Sequence, residues 1–316
     1  MFDKIIALIR DFDTIIIHRH FSPDGDALGS QTGLYGLIRD NFPEKTVYRV
    51  GDPAGRYSFM ERSVMDDIPD EYFDGALSII LDCATEELVS DNRFRLASKT
   101  ARIDHHIYCE TFTDEEVIDT SFESCAGMIA FFAMEQNLAV SEKTAAALFT
   151  GIVTDSGRFR YDSTSSKTFE IASFLMRSGI DTESIYRSLY CDDLRSVKLR
   201  AHFMSKITIY KDSPVAYIYS TKEELDGLGV ENPAQISRGM VGVMSDIRGV
   251  DIWVNFTEDG EKALCELRSS KYNINPVAVK YGGGGHKKAS GADVADYDEA
   301  VKMLDDLVKI TQNEAR

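Results

Sequence analysis

The chain has 316 residues, 43% apolar and 28% charged, the balance of an ordinary folded protein and not of a disordered one. Its 52 acidic residues outweigh 35 basic ones to give a formal net charge of -17, which argues against a protein that grips long duplex nucleic acid through many phosphate contacts. No apolar run approaches the ~18–20 residues of a membrane helix, and the five cysteines form no C-x-x-C pair, so neither a disulfide framework nor a zinc ribbon is indicated and a cytoplasmic protein is expected.

In chain order, Met1–Asp13 mixes both charge signs into an apolar pattern of helical period and reads as a short amphipathic helix, not a signal peptide. Thr14–His18 reads as a strand, followed by the loop HFSPDGD and a helical pattern over Ala27–Ile38. Strand-like runs recur at Ser78–Leu81 and Ala101–Ile103, and helical ones at Gly127–Gln136, Glu142–Thr150 and Thr168–Arg177. This alternation predicts an α/β fold with a mostly parallel sheet and helices on both faces. Leu194–Met204 reads as a further helix, a connector between domains. Beyond it Lys206–Tyr210, Val215–Tyr219, Val250–Phe256 and Lys262–Leu267 look like strands, with Asp259-Gly260 as a hairpin turn between the last two. Tyr297–Thr311 closes the chain as a helix. The expected organisation is one domain over 1–190, a connector over 191–210 and a smaller α/β domain with a mixed sheet over 211–316.

Ionisable residues cluster where these elements end: His20, Asp24 and Asp26 in HFSPDGD, Asp82 in IILDCA, Asp104, His105 and His106 in IDHH, and Asp155 in GIVTDSG. Ligands of α/β proteins bind beyond the carboxyl ends of parallel strands, so four separate segments are expected to converge on one point. A lone DGD is usually a solvated turn and an isolated aspartate at a strand end is usually a cap. The distribution changes the odds, because five of the six histidines lie in the motif segments. His18 is expected to pack within the sheet, and His202 receives no role.

Carboxylates and imidazoles in this number suit a pair of divalent ions, which acidify a water and stabilise in-line displacement at phosphorus. His20 and Asp24 would serve one ion and Asp26 the other, Asp82 would bridge, and Asp155 with a histidine of the 104–106 cluster would complete the second site. Nitrogen and oxygen donors without thiolate favour Mn²⁺, with Mg²⁺, Co²⁺ and Fe²⁺ as alternatives. A second signal is Gly282–His286 (GGGGH), followed by Lys287 and Lys288. Consecutive glycines let backbone N–H groups approach an anion, although the spacing is not that of a P-loop. Arg268-Ser269 at the end of a predicted strand offers another cationic group.

These motifs in this order resemble the DHH phosphoesterase superfamily, through HFSPDGDALGS, DCAT, IDHH and GIVTDSGRFRY, and GGGGHKKASG resembles the signature of its DHH-associated C-terminal substrate-binding domain. The resemblance implies His20 and Asp24 on one Mn²⁺, Asp26, His105 and Asp155 on the other, and Asp82 bridging. It implies that His106 contacts the scissile phosphate or supports the nucleophilic water, and that Asp104 orients the histidines. Arg268, Ser269 and Gly283, Gly284, Gly285 and His286 would hold the other phosphate or the base of a nucleotide. The glycine motif separates the chain from family II inorganic pyrophosphatases, and its compact form resembles the nanoRNase and pAp-phosphatase group. The activity this implies is hydrolysis of short oligoribonucleotides or linear dinucleotides such as pApA to mononucleotides, with removal of the 3′-phosphate of pAp and a homodimer by analogy. The alternatives are a cyclic di-AMP phosphodiesterase and a non-catalytic nucleotide-binding regulator. The latter is opposed by the absence of any missing ligand.

Overall fold

In the computed structural model, which describes residues 1–313, the backbone divides into a unit ending at Cys191 and a unit beginning at Asp192. The first unit runs α1 (Asp3–Asp11), β1 (Thr14–His18), α2 (Gly25–Asn41), β2 (Thr46–Arg49), β3 (Leu77–Leu81), β4 (Lys99–Asp104), β5 (Glu115–Ile118), α3 (Cys125–Glu135), α4 (Glu142–Asp155), α5 (Ser166–Met176) and α6 (Thr182–Tyr190). Its five strands form one sheet in the order β2-β1-β3-β4-β5, and every neighbouring pair is parallel.

Alternation along these strands decides what each face buries. Ile15, Ile17, Leu77, Ile79, Leu81, Ala101 and Ile103 point to the face where α1 to α4 pack, meeting Ile5, Ile9, Leu34, Leu37, Phe132 and Leu148 in one continuous core. Each fully buried aliphatic side chain of this kind contributes about 1.5–3 kcal/mol. On the opposite face short 3₁₀ turns carry Phe73 and Phe94 onto Ile16 and Ile80. His18 lies on this second face, buried between the Phe73 and Phe94 rings with Nε2 3.1 Å from Ser78 Oγ. Burial pushes its pKa down to about 4, so it packs as a neutral ring, as the sequence led us to expect.

One packing detail positions the site. Helices α2 and α4 run against each other so closely that a Cβ on Gly29 would stand 2.7 Å from the Ala147 carbonyl oxygen and 2.8 Å from the Gly151 nitrogen. On α4, a Cβ at Gly151 would meet the Ala126 Cβ at 2.5 Å and Asp26 Oδ1 at 3.1 Å. Small residues here bring the N-terminus of α2, with Asp26, beside the C-terminus of α4, with Asp155.

The second unit contains α7 (Leu194–Ser205), β6 (Thr208–Ile209), β7 (Val215–Ser220), α8 (Lys222–Gly227), α9 (Pro233–Val241), β8 (Ile252–Glu258), β9 (Ala263–Ser269), α10 (Asn275–Lys280), β10 (Gly284–His286), β11 (Ala289–Val294) and α11 (Tyr297–Asn313). Its mixed sheet has the order β10-β11-β9-β8-β7-β6, with β7 and β8 parallel and the other pairs antiparallel. The Asp259-Gly260 turn joins β8 to β9, Gly260 taking a φ of 113°. Helix α7 falls within this unit. One strand differs in extent, since Lys206 caps α7 and leaves β6 only two residues long, and Gly284–His286 within the glycine run forms the edge strand β10.

Candidate metal centre

The loop after β1 is tied down before it delivers any ligand. Arg19, fully buried, donates from Nε to Gln31 Oε1 at 3.1 Å, from Nη1 to the His20 carbonyl at 3.0 Å and from Nη2 to the Asp52 carbonyl. The Asp52 carboxylate in turn accepts from the Ser22 amide at 2.7 Å. Asp24 caps α2, its Oδ1 accepting from the Asp26 and Ala27 amides at 3.0 and 2.9 Å. Asp26 sits one step inside the helix and is 1% exposed; its two oxygens accept from the Cys125 and Ala126 amides at 2.7 and 2.8 Å. Those amides are the unpaired donors at the start of α3, so one helix terminus stabilises a carboxylate carried by another.

Asp82 follows β3 and is 3% exposed, with a left-handed φ of 57°. That conformation is uncommon for a residue other than glycine and is retained where the surroundings over-determine it. Its two oxygens face different partners: Oδ2 lies 3.4 Å from His20 Nε2, while Oδ1 lies 3.5 Å from His105 Nε2 and 3.6 Å from His106 Nδ1. Oδ1 has no hydrogen-bond partner. His20 Nε2 is also 3.7 Å from Asp24 Oδ1, and His105 Nε2 is 3.7 Å from Asp26 Oδ2 and 3.6 Å from Asp155 Oδ2.

These separations exceed hydrogen-bond length. They suit donor atoms spread around a cation held at about 2.1 Å. Three sets of donors each lie within 4.8 Å of one another and could hold a metal ion: His20, Asp24 and Asp82; Asp26, His105 and Asp155; and Asp82, His105 and His106. Asp82 belongs to two of them. All six residues expected to bind metal, from four separate segments, therefore meet, and the orphaned Asp82 oxygen is what a divalent cation would satisfy. Asp104, 1% exposed at the end of β4, stands outside these sets and accepts from His106 Nδ1 at 2.8 Å, fixing that ring.

The electrostatics describe a centre short of positive charge. Burial raises the Asp26 carboxyl well above the usual range, with Asp82 and Asp155 adding to the effect. Asp155 is likewise pushed up to about 6 by burial. For Asp82, burial is outweighed by the His105 and His20 imidazoles that face its two oxygens, and its pKa falls below the usual range. Burial would lower His20, but Asp24 and Asp82 raise it to about 10; burial also opposes His105, which Asp82 and Asp26 raise to about 10. Protons drawn onto two imidazoles do here what divalent cations would do better.

The other predicted residues lie in the second unit. Arg268, Ala289 and His286 are in register across β9, β11 and β10 and share a face, and Glu266, Gly291 and Gly284 form the next row. Arg268 Nη1 bonds Glu266 Oε2 at 3.0 Å. A Cβ on Gly283 would stand 2.0 Å from the Gly291 carbonyl, and Gly285 takes a φ of 135°, so both positions require glycine. The Ser269 hydroxyl is occupied within its own turn, donating to the Asp251 carbonyl at 3.0 Å and accepting from the Tyr272 amide at 2.7 Å. His202, given no role, pairs with Glu224 at 2.6 Å.

Sequence reasoning missed Arg19, Gln31 and Asp52, which hold the loop, and the α3 amides that hold Asp26. The one available signal was the arginine inside HRH, a charged residue where the strand pattern predicts burial.

Residues 14–152 match the DHH family, N-terminal domain, and residues 215–312 match the DHHA1 domain. The chain is 34% identical to the bifunctional oligoribonuclease and PAP phosphatase NrnA of Bacillus subtilis, with 96% of each chain covered. It is 36% identical to the probable bifunctional oligoribonuclease and PAP phosphatase NrnA of Streptococcus mutans, covering 98% of this chain and 99% of that one. Among solved structures it is similar to an exopolyphosphatase-related protein from Bacteroides fragilis, at a TM-score of 0.84 and 26% identity over 97% of this chain and 95% of the other. Motif order, a donor set gathered from four segments and full-length relatives lead to one assignment: the chain belongs to the DHH family and carries a DHHA1 domain after its DHH domain.

Proposed function

We propose that this chain is a manganese-dependent phosphoesterase that hydrolyses short oligoribonucleotides to mononucleotides and removes the 3′-phosphate of pAp. The observation that carries the reading is Asp82, a buried carboxylate on left-handed backbone whose two oxygens face two donor groups and whose Oδ1 lacks a partner. The oligoribonuclease and PAP phosphatase activities named for relatives that align along nearly the whole chain support the substrate class. When bound, two divalent ions supply an acidified water and neutralise charge at phosphorus.

The protein's own residues do the rest. His20, Asp24, Asp26, Asp82, His105 and Asp155 are the proposed ligands. The Asp104 carboxylate holds the His106 ring by Nδ1, which fixes its tautomer and leaves Nε2 available to a phosphate oxygen or to the attacking water. Arg268, Gly283 to Gly285 and His286 present a cation, close backbone and an imidazole to the remaining phosphate or base, while Ser269 shapes the turn beside them. Manganese as the ion, the cytoplasm as the location and a homodimer as the assembly belong to the same proposal. Among the described residues no helix is long and apolar enough to cross a membrane.

The test is a Mn²⁺-supplemented panel of pAp, pApA, cyclic di-AMP and RNA from two to about twenty nucleotides, compared by kcat/KM. The reading expects pAp and the shortest RNAs to lead and Asp82→Ala to remain folded with its turnover lost. Full activity of that variant, or preference for cyclic di-AMP or for the longest RNA, would overturn it.

A further inference from the structure

A group of basic and aromatic side chains in the first unit borders the metal centre without taking part in it. Arg158 follows Asp155 by three residues. Its guanidinium lies 4.6 Å over the Tyr190 ring, and the Tyr186 ring is 5.8 Å from that of Tyr190. Arg56 lies 5.2 Å over the Tyr57 ring and donates from Nη2 to the Leu189 carbonyl at 3.1 Å. Burial raises the Tyr190 phenol, and Arg158, Tyr186, Tyr57 and Arg56 all act on it, so these side chains form one patch. Tyr57 connects the patch to the metal loop: burial dominates its raised pKa, with Arg56, Asp24 and a hydrogen bond from the Gly25 backbone also contributing.

Two features distinguish this patch from ordinary surface charge. In a chain of net charge -17, neither Arg56 nor Arg158 forms an ion pair with a described residue. Arg158 is also presented on three consecutive left-handed residues, with φ of 57° at Gly157, 65° at Arg158 and 63° at Phe159. Such a run persists only where packing fixes it. Here Phe159 stacks 5.3 Å from Phe169, its amide donates to Ser156 Oγ at 3.0 Å, and the Tyr161 ring lies where a side chain on residue 157 would begin. The fixed turn leaves Arg158 exposed, three residues after Asp155.

We infer that Arg56, Arg158 and Tyr190 form a nucleotide subsite for the part of a short oligoribonucleotide that lies across the scissile phosphorus from the portion pAp supplies. The inference rests on the proposed function. A guanidinium fork pairs with phosphate oxygens in two parallel hydrogen bonds. A guanidinium layered on tyrosine also offers a plane on which any base stacks, so the subsite would be tolerant of sequence. pAp has nothing on this side of its reacting phosphorus and would not use it.

The experiment compares wild type with the Arg56→Gln/Arg158→Gln double variant on pAp and on RNA of three to five nucleotides, in Mn²⁺. The expected result is a loss of at least tenfold in kcat/KM on RNA, carried by KM, with pAp turnover within twofold of wild type. RNA affinity should also depend less steeply on salt, by about 0.7 in log–log slope for each arginine removed from a single strand. Parallel losses on both substrates, or no loss on RNA, would overturn the inference. Wild type turning over neither substrate would sink the functional reading instead, and the salt slope of trinucleotide binding would then decide the subsite, an unchanged slope rejecting it. Arg158→Gln alone keeps the Arg56 bond to Leu189 and repeats the test should the double variant misfold.

Discussion

Replacing Gly29 by alanine probes how the fold sets the metal centre. The added methyl would lie 2.7 Å from the Ala147 carbonyl oxygen, 2.8 Å from the Gly151 nitrogen and 2.9 Å from the Gly151 Cα. All three are backbone atoms of α4, so no side chain can rotate out of the way. Ordinary contact begins near 3.4 Å, so α2 and α4 must part by about 0.7 Å. Overpacking of this kind costs about 1–3 kcal/mol, and each kcal/mol lowers Tm by about 2–4 °C in a unit of this size. The same movement separates Asp26 on α2 from Asp155 on α4, two carboxylates that share His105 as a neighbour. A misplacement approaching 1 Å can cost about a hundredfold in rate. Calorimetry, a Mn²⁺ titration and kcat on a short RNA would read all three consequences. Gly239→Ala in α9 is the contrast: nothing lies within 4 Å of its Cβ, and better helix propensity should stabilise by about 0.5–1 kcal/mol. If Gly29→Ala matched wild type in Tm, metal affinity and kcat, close approach of these helices would not be what positions the carboxylates.

Metal uptake at pH 8 should release about two protons, because His20 and His105 both titrate near 10 in the ion-free centre and must be neutral to coordinate. Calorimetric titrations in buffers of different ionisation enthalpy measure the number, and zero release would remove both histidines from the ligand set. Asp104→Asn should lower the His106 pKa and cut turnover about 10–100-fold while leaving Mn²⁺ affinity close to wild type, since Asp104 lies outside the donor groups. A metal affinity that fell in step with turnover would make Asp104 a ligand and not an orienting group.

The chemistry of the centre was legible because a parallel sheet delivers it in a readable form. β1, β3 and β4 all point their carboxyl ends the same way, so HFSPDGD, DCAT and IDHH had to arrive at one edge. Contributions that do not use a side chain's chemistry were invisible. No residue name announces that Asp82 adopts a left-handed φ, or that the Cys125 and Ala126 amides grip Asp26. The spacing of Gly25, Gly29, Gly33 and Gly36 was in plain view along α2, and only the position of α4 reveals its purpose. β5 escaped notice because EEVI is four half-buried residues at a sheet edge, too short and too polar for a strand pattern. In the second unit the glycines concealed β10, since residues with no side chain carry no alternation to read.

The charge stored in the centre implies a reversal in how pH acts on stability. Without ions, His20 and His105 have folded pKa values of about 10 against 6.5 for a free imidazole, so their stabilisation is complete below pH 6.5 and lost as pH rises towards 10. Asp155, raised to about 6, acts in the same direction at lower pH, its cost complete by about pH 6, and the raised Asp26 carboxyl has the same sign, because a carboxyl raised by folding destabilises once it must ionise. Ion-free protein should therefore melt at progressively lower temperature from pH 6.5 to 10. With saturating Mn²⁺ the sign inverts over the lower part of that range, since each proton that leaves an imidazole strengthens coordination. At a hundred times its Kd one ion adds about 2.7 kcal/mol, or roughly 5–10 °C in the melting of the first unit. Scans of chelated and Mn²⁺-loaded protein at pH 6.5 and 8 suffice. Asp82→Ala should abolish the manganese-dependent rise, because two of the three donor groups contain Asp82. A chelated protein whose Tm matched the loaded one at both values would mean that these carboxylates gather for some purpose other than holding cations.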